Sequence, residues 1–145
     1  MRSAGQAVAL AVPFVWLGMV LAISFLEAPL KFRAPGITLP LGLGIGRLVF
    51  RALNLTEIGL AVLLTLAFLA LGPPGLSWAL LAAAWLTIGV QVGVLRPQLD
   101  RRAATIVTGR MLPPSRLHLI YIALEGAKVP LLIALGATLI AAARP

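Results

Sequence analysis

The sequence predicts an all-α membrane protein, a four-transmembrane-helix bundle in a single domain, and three observations carry that prediction. Hydrophobic residues make up 61% of the 145-residue chain and charged residues only 11%, against about 25% charged in soluble domains. So few charges cannot cover a water-exposed surface. From Ile58 to Leu95 no side chain is charged, and one span needs about 20 predominantly apolar residues to cross ~30 Å of hydrocarbon. Gly72-Pro73-Pro74-Gly75 cuts that stretch into two spans joined by a tight turn, because proline removes a backbone donor and glycine lets the chain reverse.

The first span, about 8-30, follows a short basic start, but its apolar run is too long for a signal peptide and ends in Glu27 and Lys31. It is read as retained. The second and third spans cover about 46-71 and 76-95. The fourth, about 117-142, is interrupted by His118, Glu125 and Lys128 yet stays apolar on its other faces. Pro13 and Pro130 fall inside spans and predict kinks that neighbouring helices accommodate. Gly42, Gly44 and Gly46 predict a flexible lead-in to the second span, since no Gly-Lys-Ser/Thr ending follows as a phosphate loop would require. Trp16, Trp78 and Trp85 are expected as interfacial anchors, Trp78 fitting that role best.

A net charge of +8 would point to nucleic acid in a soluble protein. Here the cations gather beside span ends. Lys31, Arg33, Arg47 and Arg51 flank loop one, and Arg96, Arg101, Arg102, Arg110 and Arg116 flank loop three; only Arg2 and Arg144 lie on the other side. The positive-inside rule therefore places loops one and three in the cytoplasm and both termini outside, in a multi-pass protein of the cell membrane. Membrane lipids and a small-molecule or proton ligand are the expected partners, with no nucleic acid. A homo-oligomer or a larger membrane complex is left open. With no cysteine and a single histidine, neither a metal site, bis-histidine haem nor another cofactor is expected.

The two halves align. Ala28-Pro29-Leu30 matches Arg96-Pro97-Gln98, and Arg47 matches Arg116. Glu57 and Glu125 then follow at nearly equal distances, each ahead of a glycine and an apolar run. Two hairpins that start from the same side would form a parallel repeat about an axis along the membrane normal. Chance likeness between two basic-looped hairpins is the alternative.

Charged groups in lipid are costly and should face the bundle interior. At 100° per residue Arg47, Arg51, Asn54 and Glu57 share a face of roughly 120°, and His118, Tyr121, Glu125 and Lys128 one of roughly 80°. Ser24, Glu27 and Lys31 form a shorter stripe on the first span, and Thr87 with Gln91 one on the third. Glu57 and Glu125 lie roughly 12 to 15 Å from the cytoplasmic span ends, so a polar pocket open to the cytoplasm is expected. Its candidate substrate- or proton-binding residues are Glu27, Arg47, Arg51, Asn54, Glu57, Gln91, Arg116, His118, Tyr121, Glu125 and Lys128; no catalytic residue is assigned.

Trp16 and Gly18 in the first span, Pro29 and Phe32 at its end, Phe50, Pro97 with Arg101, and Leu117-His118 opening the fourth resemble the small four-helix family of transmembrane protein 205-like proteins. The resemblance implies the four-span layout but no defined chemistry. Where that family tends to have amide and serine positions after the histidine, this chain has Tyr121, Glu125 and Lys128. Three functions fit the residues. A small proton-coupled or small-molecule transporter would use Glu57 and Glu125 as ion sites, Lys128 and Arg47 as counter-charges and His118 for proton access. A membrane-embedded enzyme acting on a lipid, quinone or isoprenoid would use Glu125 or His118 as acid or base. A non-catalytic subunit or assembly factor would pack against a larger membrane complex through small-residue faces such as Ala82, Ala83 and Gly89, its charges serving stability alone.

Overall fold

Apolar sequence between polar caps folds here into four long helices: α1 Ala4–Arg33, α2 Leu39–Leu71, α3 Gly75–Val107 and α4 Leu117–Ala142. The structure, a computed structural model, describes residues 3–113 and 115–143. Arg2 and Arg144, on which the outer side was read, lie outside the described residues. All four helices are long and apolar enough to cross a membrane, and each satisfies its own backbone as lipid requires.

Local chemistry sets the helix ends. Ser3 and Gln6 form a reciprocal capping box at the start of α1, and Thr38 Oγ1 accepts from Leu41 N–H at the start of α2. Gly72, at φ 59°, closes α2 in the left-handed region that disfavours a Cβ, and Pro74 then precedes α3. We call this the turn end of the bundle, and the opposite end the basic end.

α1 packs against α2 and α4, and α3 packs against the same two helices, so the four form a closed ring. Near the turn end the core is apolar: Val12, Leu64, Phe68, Leu81, Leu132 and Leu135 are buried, and Phe68 meets Trp78 edge to face with centroids 5.2 Å apart. Phe14 lies against Gly136 so closely that a Cβ there would stand 2.6 Å from the ring. Leu48, Leu55, Leu69 and Leu86 are exposed around the outside, as lipid-facing leucines are.

The helices run beyond the spans read from the sequence. α2 begins at Leu39 rather than near residue 46, and α3 continues through the polar stretch Arg96–Val107. Gly42, Gly44 and Gly46 are therefore helical, not a flexible lead-in. Gly42 seats the Phe32 ring, and a Cβ at Gly46 would lie 3.1 Å from Lys31 Nζ, so small residues let the end of α1 approach α2. α2 and α3, 33 residues each, are about 50 Å long, so about 20 Å of each extends past the hydrocarbon.

α1 and α3 share a further irregularity. Each has a π-helical segment, Leu21–Glu27 in α1 and Gln91–Leu95 in α3. Ala28 N–H donates to Ile23 O and Arg96 N–H to Gln91 O, five residues back. A proline follows each segment at the second position, Pro29 and Pro97; its missing donor loosens the preceding turn. Ala28 and Arg96 stand in the same register as Glu57 and Glu125.

Candidate functional site

Lys128, in the middle of α4, is 1% exposed. Its Nζ contacts Glu57 Oε1 from α2 and lies 2.8 Å from Glu125 Oε1, one turn earlier on α4. Trp16 Nε1 of α1 donates to Glu57 Oε1 at 2.8 Å. The two π segments supply the remaining donors: Ser24 Oγ to Glu125 Oε2 at 2.7 Å, and Gln91 Nε2 to Glu125 Oε1 at 2.7 Å. Widened helical turns often mark functional positions because they re-aim a side chain. Here they aim two at one carboxylate.

The cluster draws on all four helices, and its polar groups are unevenly used. Glu125 receives a donor on each oxygen, whereas Glu57 Oε2 and Gln91 Oε1 are buried without a partner among the described residues. Formally the cluster carries two carboxylates and one ammonium. Lys128 and Glu57 each stand 14 residues from the turn end of their helices, about 21 Å, which leaves the cluster ~9 Å inside the hydrocarbon boundary at the basic end.

A cavity of about 400 Å³ opens on the basic-end side of Glu125. Glu125, Ser24 and Tyr121 lie at its inner end; Lys31, Arg47, Arg96, Asp100 and His118 lie toward the basic end; Phe25, Pro29, Phe50 and Ile122 are among its apolar walls. Tyr121 donates to Asn54 Oδ1 at 3.0 Å and packs edge-on to Phe50 at 5.5 Å. Lys31 Nζ and Arg96 Cζ stand 5.7 and 5.9 Å from the Phe50 ring centroid. Lys31 pairs with Glu27 at 3.3 Å, and Asp100 lies 3.0 Å from Arg96 and 3.8 Å from Arg47.

Of the residues singled out from the sequence, Glu57, Gln91, Glu125 and Lys128 meet in the cluster. Arg47, His118 and Tyr121 line the cavity, and Glu27 joins them through Lys31. Arg51 does not. With Asn54 and Arg96 it lines a second hollow of about 190 Å³, because a 120° arc on α2 spans both sides of the Arg96 side chain. Arg116 lines neither cavity and stands at the residue preceding α4.

Trp16 is fully buried, so it is not an interfacial anchor, and it became visible as a site residue only through Glu57. Its position offered one signal: twelve residues into α1 it is too deep for headgroup level, and a buried indole N–H needs an acceptor. Trp85 likewise donates inward, to Thr65 Oγ1 at 3.1 Å. Ser24, Lys31, Phe50, Arg96 and Asp100 are other additions. Compared with known proteins, the chain matches no family model, no curated protein and no solved structure.

Proposed function

We propose that this chain is a small proton-coupled carrier of the cell membrane, with loops one and three cytoplasmic, the Glu57–Lys128–Glu125 cluster as its proton site, and the cavity at Glu125 as the ligand's path. The uneven charge of the cluster carries this reading. Two carboxylates against one ammonium leave one uncompensated charge, and an isolated charge near the bilayer centre costs roughly 2.5 to 3.5 kcal/mol. A single bound proton removes it. Glu125 already accepts donors on both oxygens, so the proton belongs on Glu57 Oε2, the buried oxygen without one.

Glu125 lines the cavity and Glu57 does not, so protons arrive by way of Glu125 and Lys128. Losing the proton restores a net charge at the junction of four helices, and that change in pairing is what would bias the bundle between two packings.

One observation favours a second reading, a non-catalytic subunit whose charges are a structural latch: Lys128 is engaged by both carboxylates. A pH-jump measurement of proton uptake by purified protein separates the two. The carrier reading predicts uptake of about one proton in the wild type and none in Glu57→Gln or Glu125→Gln, each of which leaves a neutral pair and a melting temperature near wild type. A wild type without uptake, together with strong destabilisation in both variants, establishes the latch instead.

A further inference from the structure

Basic residues at a membrane boundary ordinarily extend toward headgroups and water. Lys31 and Arg96 do the reverse. Their side chains are only 10% and 11% exposed, and both turn inward around the Phe50 ring. With Arg47 they place three cations around the basic-end mouth of the cavity, where their ion-pair partners are Glu27 and Asp100; Glu125, the other carboxylate of the lining, is held at the inner end by Lys128. Counted apart from that inner pair, the mouth carries one more cation than carboxylate.

Among the described residues, donor capacity is also unspent. The Lys31 ammonium has three donors, and its hydrogen-bond acceptor is Glu27; the Arg96 guanidinium has five, and it reaches Arg47 O at 3.2 Å and the Asp100 carboxylate. Arg96 stands 21 residues from the turn end of α3, about 32 Å, which is headgroup depth. Below it the walls become apolar. Phe25 of α1 and Ile122 of α4 line the cavity and are 42% and 38% exposed. Exposed apolar side chains from these two neighbouring helices give the cavity an apolar side at the α1–α4 seam.

We propose that the cavity binds an amphipathic anion, with a carboxylate or phosphate head between Lys31 and Arg96 and an apolar chain leaving between Phe25 and Ile122. This names the ligand class for the carrier reading and rests on it for flux, though not for binding. The same chemistry is available from a free single-chain amphiphile and from an anionic phospholipid.

The test uses the full chain in phosphatidylcholine nanodiscs, titrated with dodecanoate, dodecyl phosphate, dodecanol and dodecyltrimethylammonium. Both anions should bind at least tenfold tighter than the alcohol and the cation, a factor on the scale of one charge-assisted hydrogen bond. Lys31→Gln and Arg96→Gln should each remove about that preference, Lys31→Arg should restore it, and Ile122→Trp should weaken every chain by filling the apolar side of the cavity. Replacing half of the phosphatidylcholine by phosphatidylglycerol assigns the source. Loss of dodecanoate binding there marks the phospholipid as the occupant, and unchanged binding marks the free amphiphile. Equal affinity for all four probes, or anion binding indifferent to Lys31→Gln in a variant that melts normally, overturns the proposal. Proton uptake at Glu57 is read separately: uptake without anion binding sinks this inference alone, and anion binding without uptake sinks the carrier.

Discussion

The two halves of the bundle are held together by different means. At the turn end, leucines, Phe68 and a phenylalanine fitted over Gly136 fill the space; among the described residues two hydrogen bonds join helices there, Ser77–Thr138 at 3.2 Å and Trp85–Thr65 at 3.1 Å. A few turns away the same four helices meet through Lys128, two glutamates, Trp16, Ser24 and Gln91. Lipid is as apolar as leucine, so association at the turn end depends on shape and dispersion. Such packing changes gradually with side-chain size. The polar half is discrete: Trp16, Ser24 and Gln91 each donate to one carboxylate oxygen, Lys128 bridges both glutamates, and one proton more or less changes the net charge of the cluster. Only that half can respond to pH.

That comparison is most severely tested at its centre. Lys128→Met removes the cation and leaves Glu57 and Glu125 together, and breaking a buried pair in this way costs about 3 to 5 kcal/mol. The double variant Glu57→Gln with Glu125→Gln strands Lys128 and should fall in the same range, whereas either single variant keeps a neutral pair and should lose far less. Unfolding free energies in mixed detergent measure all three. Equal losses for single and double variants would break the charge account.

At the turn end, Gly136→Ala forces Phe14 out of its seat, an overpacking cost of about 1 to 3 kcal/mol that should be the same at every pH. Ser24→Ala removes one of the donors to Glu125 and should cost about 1 kcal/mol, with a pH dependence that Gly136→Ala lacks. The smallest effect belongs to Leu69→Ala, whose side chain is 70% exposed to lipid; its melting temperature should be indistinguishable from wild type. A large loss there would mean that this face is covered by another chain.

Much of this was legible because charges inside apolar runs are conspicuous: four spans, and Glu57, Gln91, Glu125 and Lys128 as interior residues, follow from hydropathy and helical phase. The pairing was not. Phase fixes where a side chain stands on its own helix, but the rotation of one helix against another is set by packing, which is why Arg51 and Arg47, one turn apart, end on opposite sides of Arg96. Trp16 was hidden for the same reason, since its acceptor stands 41 residues away on another helix. The glycines of α2 were misjudged because their role as a seat depends on Phe32 and Lys31 folding back onto them.

The cluster is expected to hold one proton that balances its charge. Infrared spectroscopy of the purified protein in the stretching region of protonated carboxyl groups tests it directly, with exchange into D₂O to identify the band. The account predicts one such band from a buried carboxyl at neutral pH in the wild type, lost in Glu57→Gln and lost also in Glu125→Gln, where Lys128 alone balances the remaining glutamate. A wild-type spectrum without that band, or a band that survives both substitutions, would contradict it.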